Sequence, residues 1–502
     1  MTDARSCDDA INDSAAPAAA PSLAGQRVTV MGIGTRGGGV GVIRWLVGRG
    51  AVVTATDGKT PEQLGDAIRA LDGLPVRLVL GDHDEADFQA SGADFIVRNP
   101  AIPRRAPLLE LARREGIPVE MEMSLFFRAS RAPIVGVTGT KGKTTTSTLI
   151  AQLLRDEFPG TVLAGNMGIS ALAQLDQLTP DAPVVVELSS WQIESLIEHR
   201  LAPQVAVITN ISPDHFNTYD SYEDYAVTKL GLLAAQTPGQ VAILNRDDPL
   251  VWAGSDQTAA NVIPFGLSDD GGPGAWRSGD RYVVRDGAGE VWVDRPGGLP
   301  LAGDHGARNA LAALAVGRSL GARDIVLRSA LGEFRGVPHR MEEVGEIAGV
   351  RYINDTTATA PAAAIAALSA FPGRRVHWIG GGADKSVDLS GLAAAVVRDA
   401  WSIHLLDGTA TPRLRHAILA NGGRPNGPYQ SILDAALTAH RSSLPGDVVL
   451  LSPGCASFGL FRDEFDRGEQ FRAAVQRVHE ICESGSAEDG LALPLTGPEA
   501  TG

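Results

Sequence analysis

The sequence is poor in cysteine, and its few cysteines follow no pattern. Cys7, Cys455 and Cys482 are scattered along 502 residues, without the paired spacing of a structural metal site. Sparse cysteines fit a reducing compartment and do not support a disulfide framework. We therefore expect a cytoplasmic protein.

Long apolar runs and an excess of positive charge are also missing. The apolar runs are short and interrupted, so no membrane span is predicted. A formal net charge of -15 argues against nucleic acid as a partner, because a phosphate backbone requires a basic protein surface. Small anionic substrates are not excluded, since they need only a local positive pocket.

Both ends of the chain have the composition of loose tails. Residues 1–24 are rich in alanine and proline and lack the apolar core of a signal peptide, so they predict a disordered tail. Residues 485–502 predict a second loose tail. The chain between them is too long for one hydrophobic core, so several domains are expected.

The pattern of strands and helices predicts the α/β fold class, with mostly parallel sheets. Residues 26–57 follow the order strand, glycine turn, amphipathic helix, strand, which is typical of a βαβ unit. Similar alternation recurs further along, so we predict three α/β domains over residues 25–131, 132–336 and 337–484. Residues 266–300, rich in glycine and aspartate, predict an insertion or a small antiparallel hairpin.

The first glycine motif lies between the strand and the helix of that βαβ unit. Gly32, Gly34 and Gly37 match the pattern G-x-G-x-x-G, and Asp57 lies twenty residues beyond Gly37. This is the dinucleotide fingerprint in its usual context, which favours an NAD or FAD site. The pyrophosphate of another nucleotide would bind the same helix start, and a turn needed only for packing is a third alternative.

A second glycine loop, "GTKGKT" at residues 139–144, joins a β-branched strand to a helix. A strict P-loop would require glycine at Val137, so the loop is a tighter variant. The chemistry is kept, because backbone N–H groups can wrap phosphates while Lys143 neutralises their oxygens and the Thr144 hydroxyl reaches Mg²⁺. The loop predicts a nucleoside triphosphate site.

Oxygen donors for that metal follow two other predicted strands. Glu187 ends one strand, and Asp214 with His215 follows another. Each of them could be a capping or turn residue. Because open α/β sheets bind ligands at the carboxyl ends of their strands, these residues together with the loop predict a Mg²⁺ site.

Ordered motifs along almost the whole chain resemble the Mur ligase family, ATP-dependent amide-bond ligases of peptidoglycan precursor synthesis. The resemblance rests on the following segments: "GVTGTKGKTT" at 136–145, "GNMG" at 165–168, "ELSSWQIE" at 187–194, "NISPDHFNTY" at 210–219, Lys229, "GDHGARNALAA" at 303–313, "PHRME" at 338–342, "INDTTATAP" at 353–361, "GGGADKS" at 380–386 and "LLSPGCASFGLF" at 450–461.

The resemblance implies a fold and a reaction. It implies a Rossmann-like N-terminal UDP-binding domain, a central P-loop-type ATPase domain with a parallel sheet, and a C-terminal Rossmann-like domain. The segments look most like those of members that add glutamate, D-glutamate foremost, to UDP-N-acetylmuramoyl-L-alanine through an acyl phosphate. The first glycine motif would then bind UDP rather than NAD. Small-molecule substrates, ATP, two Mg²⁺ ions and a monomeric protein are expected.

The resemblance also implies roles for individual residues. The catalytic group would be Lys143, Glu187, His215 and Lys229. Thr144 and Glu187 would hold one metal ion, and His215 with Lys229, carbamylated by CO₂, would hold the second. The remaining expected contacts are, for ATP, Gly139, Thr140, Lys141, Gly142, Lys143, Thr144, Thr145, Asn309, Arg340 and Asp355; for the UDP substrate, Gly34, Thr35, Arg36, Asp57, Asn166 and Ser189; and for glutamate, Thr357, Lys385, Ser457 and Phe465.

The sequence departs from the family pattern where the amino acid is expected to bind. Thr357 stands where the family usually has a lysine, which leaves Lys385 as the cation for a carboxylate, and Phe465 lies one residue further along than expected. An L-glutamate-adding relative or another Mur ligase are therefore alternatives. A non-catalytic P-loop switch would not need the motifs after residue 337, and an NAD-dependent oxidoreductase would leave the Lys143 loop unexplained.

Overall fold

A computed structural model describes residues 22–34, 37–165, 170–212, 219, 221–269, 271–295, 303–332, 334, 336–385 and 387–484. The chain forms two compact units, Met1–Phe334 and Arg335–Gly502. The described residues form two sheets in the first unit and one sheet in the second. None of the helices formed by these residues combines the length and the apolar character needed to cross a bilayer.

The first sheet is parallel throughout, in the order β3-β2-β1-β4-β5. Its strands are β1 (Arg27–Met31), β2 (Val52–Asp57), β3 (Val76–Leu80), β4 (Phe95–Arg98) and β5 (Val119–Glu120). The helices are α1 (Gly38–Gly48), α2 (Pro61–Leu64), α3 (Asp66–Arg69), α4 (Pro107–Arg114) and α5 (Glu122–Ala129). Every residue of β4 is buried, as expected where helices cover both faces of a parallel sheet.

The second sheet follows the order β14-β13-β12-β11-β10-β9-β6-β8-β7. Its parallel strands are β6 (Ile134–Thr138), β7 (Val162–Gly165), β8 (Val184–Glu187), β9 (Val205–Ile208), β10 (Val241–Asn245), β11 (Asn261–Gly266) and β12 (Gly274–Ser278). An antiparallel extension continues from β12 into β13 (Arg281–Asp286) and β14 (Gly289–Asp294). The predicted hairpin is therefore confirmed over residues 274–294.

The helices of this sheet begin in different ways. They are α6 (Lys143–Glu157), α7 (Ser190–Glu198), α8 (Tyr222–Ala234), α9 (Pro249–Ala253), α10 (Gly303–Ser319) and α11 (Asp324–Ser329). Helix α7 starts with a capping box, because the Ser189 side chain accepts a hydrogen bond from the Gln192 amide. Helix α6 instead follows Gly142, whose left-handed φ of 83° ends the glycine loop.

The second unit has a sheet in the order β15-β16-β20-β17-β18-β19. Its strands are β15 (Glu342–Ile347), β16 (Val350–Asn354), β17 (Val376–Gly380), β18 (Ala400–Leu406), β19 (Asn426–Tyr429) and β20 (Val448–Leu451). Only β15 is antiparallel to its neighbour among these described strands. The helices are α12 (Pro361–Leu368), α13 (Ser390–Asp399), α14 (Thr411–Ala420), α15 (Ile432–Arg441) and α16 (Glu464–Ser484).

Both faces of this third sheet are covered by apolar side chains. Successive residues of a strand point to opposite faces, so Trp378 of β17 packs into one apolar cluster and Ile379 into the other. In β16, Ile353 packs into the same apolar cluster as Trp378, and Tyr352 packs into the cluster of Ile379. The α/β class and the prevalence of parallel strands predicted from the sequence are confirmed by all three sheets. This arrangement brings loops together at the carboxyl ends of the strands.

Candidate nucleotide and substrate sites

The glycine loop between β6 and α6 is closely packed against two other segments. Gly139 has φ of 147° and Gly142 has φ of 83°, values that L side chains rarely adopt. A Cβ atom at Gly139 would lie 1.9 Å from Thr209 Oγ1, and one at Gly142 would lie 2.6 Å from Asn309 Oδ1. Any larger residue would therefore displace the loop or its neighbours.

The segment after β9 holds the loop in shape through its backbone. The Thr140 amide donates to the Asn210 carbonyl oxygen at 2.8 Å, and the Lys141 amide donates to Asn210 Oδ1 at 2.9 Å. The Ser212 amide donates to Thr140 Oγ1 at 3.0 Å. Asn210 was not among the residues predicted from the sequence. Its position just after a buried strand could have indicated a residue near the ligand site.

Lys143 lies at the start of α6, where a phosphate would be expected. Its Nζ donates to the Gly139 and Thr140 carbonyl oxygens at 3.0 and 3.1 Å. Thr144 and Thr145 follow in the first turn and are half-buried. The first amides of a helix lack carbonyl partners within it and attract anions, so this end of α6 suits a phosphate group.

Glu187 and Lys229 lie close to the same loop. Glu187 ends β8 in register with Val137 of β6, and only 3% of its surface is exposed. Lys229 of α8 is 1% exposed; its Nζ lies 3.4 Å from Thr138 Oγ1 and 4.8 Å from the centre of the Tyr225 ring. The fold thus brings together residues that are far apart in sequence. His215 lies outside the described residues.

The described donor set is compatible with Mg²⁺ held jointly by protein and nucleotide. The described part of the chain contains no group of three histidine, cysteine or acidic side chains that could hold a metal alone. Mg²⁺ commonly takes only one or two carboxylates, together with phosphate oxygens and water, so Glu187 with the Thr144 hydroxyl fits. An ammonium group has no lone pair, so Lys229 could contribute only after conversion to a carbamate.

At the first sheet, Asp57 stabilises the first glycine turn. Its Oδ2 accepts a hydrogen bond from the Gly34 amide at 3.0 Å, and its Oδ1 accepts one from the Lys59 amide at 3.0 Å. Asp57 is buried, so both oxygens are engaged by the backbone around β2. Thr35, Arg36 and Asn166, predicted to contact the UDP substrate, lie outside the described residues. Ser189, predicted for the same substrate, forms the cap of α7.

In the second unit, Asp355 follows β16 at the carboxyl edge of the sheet. It accepts hydrogen bonds from the Ser452 hydroxyl at 2.8 Å and from the Met341 amide at 3.2 Å. Burial raises the pKa of the Asp355 carboxyl to about 6, and the Ser452 hydrogen bond and the nearby Arg340 charge partly oppose that rise. Arg340 itself is exposed. The two residues predicted to contact ATP in this unit therefore lie together.

The residues predicted to bind glutamate fall into two groups. Lys385 Nζ donates to Thr359 Oγ1 at 3.1 Å, and both residues line a small pocket with Cys455. Thr357 donates to the His339 carbonyl oxygen at 3.1 Å, and the Phe465 ring lies 5.8 Å from the His339 ring.

Ser457 lies two residues beyond Cys455 in the chain. It is 2% exposed, and its hydroxyl has no hydrogen-bond partner within the described part of the chain. A buried hydroxyl without a partner is costly, which fits a group that meets a ligand.

The sequence interpretation also missed Arg467 of α16. This arginine is fully buried, and its guanidinium donates at 2.9 Å to both Thr356 Oγ1 and the Thr356 carbonyl oxygen. It also donates to the Cys455 carbonyl oxygen at 3.4 Å. Burial lowers the pKa of this guanidinium to about 10. Arg467 thus ties together the two loops that carry Thr357 and Ser457.

Comparison with known proteins supports the resemblance seen in the motifs. Residues 137–317 match the family model "Mur ligase middle domain", and residues 339–455 match "Mur ligase, glutamate ligase domain". A protein named UDP-N-acetylmuramoylalanine–D-glutamate ligase from Roseiflexus sp. (strain RS-1) is 45% identical over 466 residues, covering 90% of this chain and 99% of that protein. The chain belongs to the Mur ligase family.

Other Mur ligases are similar to this chain over most of its length at lower sequence identity. A protein with the same name from Pelotomaculum thermopropionicum is 37% identical, covering 89% of this chain and 97% of its own. The crystal structure of UDP-N-acetylmuramate–alanine ligase from Thermotoga maritima aligns with a TM-score of 0.53 at 20% identity, covering 90% of this chain and 99% of that one. That structure supports the Mur ligase fold alone.

Mur ligase membership decides between the functional alternatives. Members of the family are ATP-dependent enzymes that form amide bonds. The NAD-dependent oxidoreductase and the non-catalytic switch, both left open by the sequence, are therefore excluded.

Proposed function

We propose that the protein adds D-glutamate to UDP-N-acetylmuramoyl-L-alanine, with hydrolysis of ATP to ADP and phosphate, in peptidoglycan precursor synthesis. The proposal rests on the position of the Lys143 loop. The loop is held by hydrogen bonds and lies beside Glu187 and the buried Lys229. The names of the relatives at 45% and 37% identity support the choice of substrates.

The first chemical step activates the substrate carboxylate. A carboxylate does not acylate an amine in water, because its oxygen is a poor leaving group. One oxygen of the alanine carboxylate attacks the γ-phosphorus of ATP, the bond to the β-phosphate oxygen breaks, and ADP departs. The loop amides and Lys143 hold the phosphates and disperse the negative charge of the transfer.

The second step forms the amide bond. The amine of glutamate attacks the acyl carbon, a tetrahedral oxyanion forms, and phosphate leaves as the carbonyl is restored. The amine loses one proton in the process. The protein contributes mainly by holding the two substrates in contact and by stabilising the oxyanion electrostatically.

Two Mg²⁺ ions belong to this proposal. Thr144 and Glu187 would hold the first, and His215 with carbamylated Lys229 would hold the second. When bound, the ions neutralise phosphate oxygens and the developing oxyanion. Lys229 suits carbamylation because it is buried beside Thr138 at the nucleotide loop, and the modification would replace an ammonium group, which has no lone pair, by an oxygen donor.

Further residues are assigned to the substrates within this proposal. Gly34, Asp57 and Ser189, with Thr35, Arg36 and Asn166, would serve the UDP substrate. Thr140, Lys141, Thr145, Asn309, Arg340 and Asp355 would serve ATP. Thr357, Lys385, Ser457 and Phe465 would surround glutamate.

The proposed organisation comprises three domains. These are a Rossmann-like UDP-binding domain over residues 25–131, a P-loop-type ATPase domain over 132–336 and a Rossmann-like domain over 337–484. The three separate sheets support this division. We also propose that the protein is a cytoplasmic monomer.

The test is phosphate release from ATP in the presence of UDP-N-acetylmuramoyl-L-alanine. D-glutamate, L-glutamate and other amino acids are offered separately. Release with D-glutamate, accompanied by the expected mass of the product, supports the proposal. Release that requires L-glutamate or another amino acid would contradict the assigned substrate while leaving the ligase chemistry intact.

A further inference from the structure

A buried ion pair joins the first sheet to a helix of the second sheet. Arg98, the last residue of β4, donates from Nη2 to Glu194 Oε2 of α7 at 2.7 Å. The side chain of Arg98 is 3% exposed, and that of Glu194 is 11% exposed. A buried ion pair often contributes no more stability than two apolar side chains would, because both charges lose their water. What the pair supplies is a fixed geometry between β4 and α7.

The residues that follow Arg98 pack against the first glycine turn. Asn99 Nδ2 donates to the Gly32 carbonyl oxygen at 3.3 Å. A Cβ atom added at Gly32 would lie 2.8 Å from Asn99 Cβ and 3.3 Å from Ile102 Cγ1. Arg98 Nη1 also donates to the Ile102 carbonyl oxygen at 2.9 Å. This segment thus supports the turn that contains Gly34, which is assigned above to the UDP substrate.

On its other side, Glu194 is connected to the nucleotide loop through two tyrosines. The Tyr219 hydroxyl donates to Glu194 Oε1 at 3.3 Å, and the Tyr219 ring packs edge-on against Tyr225 with the ring centres 5.3 Å apart. The Tyr225 hydroxyl lies 3.2 Å from Thr140 Oγ1 of the loop, and Lys229 Nζ lies 4.8 Å from the centre of the Tyr225 ring. Both tyrosines are buried. Contacts between described residues therefore run without a break from the first glycine turn to the nucleotide loop.

A second ion pair joins the same parts of the molecule but is open to water. Arg104 donates to Asp224, in the first turn of α8, at 3.2 Å, and both side chains are partly exposed. Ion pairs in contact with solvent contribute little, because water screens them and the side chains remain mobile. The buried pair of Arg98 and Glu194 is therefore the connection that fixes the geometry.

We propose that Arg98 and Glu194 are positioning residues that align the UDP-linked substrate with ATP. Transfer requires the alanine carboxylate to meet the γ-phosphorus, and the two substrates are assigned to different sheets. The ion pair sets the position of the first glycine turn relative to the nucleotide loop. This inference rests on the proposed function, because both substrates are taken from it. Neither side chain contacts reacting atoms, and both act through their neighbours.

The test replaces both charges at once, as Arg98→Met/Glu194→Leu in the full-length protein. Removing one partner would leave a buried charge unpaired, whereas two apolar side chains of similar size preserve the fold. Each site keeps its own contacts, so calorimetric Kd values for ADP and for UDP-N-acetylmuramoyl-L-alanine should change less than about two-fold. The kcat for phosphate release should fall by about ten- to 100-fold, since a misplacement of about 1 Å costs about 100-fold.

Arg323→Met/Glu157→Leu is the matched control, because it makes the same two substitutions at an ion pair between two helices of the second sheet, α6 and α11. Its kcat should equal that of the wild type. Equal falls of kcat in the two double variants, or wild-type kcat in Arg98→Met/Glu194→Leu, would overturn the proposal. If that variant does not fold, Tyr219→Phe decides: removing the hydroxyl that meets Glu194 should lower kcat by about two- to ten-fold, and unchanged kcat would refute the role.

Hydrogen exchange measured by mass spectrometry reads the same connection without turnover. ADP bound at the nucleotide loop should slow exchange in residues 99–102 of the wild type by about three-fold or more, and in Arg98→Met/Glu194→Leu it should slow only the loop. Slowing of both segments in both proteins, or of the loop alone in the wild type, would contradict the inference. If the wild type shows the coupled slowing but no turnover with D-glutamate, the assigned reaction fails and the positioning role stands.

Discussion

Asn309 of α10 lies directly against Gly142, the last residue of the nucleotide loop. A Cβ atom at Gly142 would approach Asn309 Oδ1 to 2.6 Å. Residues separated by more than 160 positions thus share one contact at the point where the loop enters α6. The contact and the left-handed φ of 83° leave no room for a side chain at residue 142.

Gly142→Ala should lower the rate of ATP-dependent phosphate release by about 100-fold or more. The added Cβ would clash with Asn309 and would disfavour the left-handed φ, and both effects would distort the loop. Gly116→Ala is the control: its φ of 75° is also left-handed, but nothing lies within 4 Å of an added Cβ. Gly116→Ala should lose about 1 kcal/mol of stability through its left-handed φ alone, and Gly142→Ala should lose more because its Cβ also meets Asn309. Equal activity in the two variants would show that loop shape does not matter.

Lys229→Ala should be inactive and should recover part of its activity when short carboxylic acids or bicarbonate are added. The reason is that Lys229 is buried beside Thr138 at the nucleotide loop, where a carbamate would supply an oxygen ligand and a small carboxylate could replace it. Phosphate release measured against added acetate is the readout. Full activity of the untreated variant would exclude a role for Lys229.

Lys385→Ala should raise KM for D-glutamate by roughly ten- to 100-fold, because it removes a cation from a small pocket in the second unit. KM for ATP should change little. Arg398→Ala is the matched control, since Arg398 forms an exposed ion pair with Asp399 in the same unit. If the two variants have the same KM for glutamate, Lys385 does not bind the amino acid.

The contact between His199 and Glu120 should make the first unit less stable as pH rises above 6.5, the ordinary pKa of histidine. The hydrogen bond to Glu120, at 3.0 Å, raises the pKa of His199 above its ordinary value of 6.5. A raised folded-state pKa means that the stabilisation is complete below pH 6.5 and is lost as pH rises through the higher value.

Thermal unfolding from pH 6 to 9 measures this effect. The midpoint of the wild type should fall more steeply across that range than the midpoint of His199→Gln. His416→Gln, a change at an exposed histidine of the second unit, should keep the wild-type slope. Parallel slopes in all three proteins would contradict the contribution of His199.

The sequence predicted which loops carry the chemistry better than it predicted the residues that hold those loops in place. The Lys143 loop could be predicted from the sequence because its glycine, lysine and threonine residues follow one another between a strand and a helix. Asn309 and Lys229 came only from the family resemblance, since a buried lysine and a helix-surface lysine look alike in sequence. Asn210 was missed because its role depends on packing between segments 70 residues apart.

Arg467 shows the same limit in the second unit. In the sequence it is one of several charged residues at the start of a long helix, a pattern that usually indicates a solvated face. Its burial depends on how α16 packs against the loops after β16 and β20. The edge strands β15 and β19 are equally hard to predict from sequence, because their partly exposed residues lack a clear apolar alternation.

The most direct test of the account is to trap the acyl phosphate. The protein is incubated with ATP and UDP-N-acetylmuramoyl-L-alanine without glutamate and is then treated with borohydride, which reduces an acyl phosphate to an alcohol. We predict that the alcohol of the alanine carboxyl appears with wild type and is absent with Lys143→Ala. Normal amide formation by the wild type without any trapped alcohol would contradict the activation of the carboxylate by ATP.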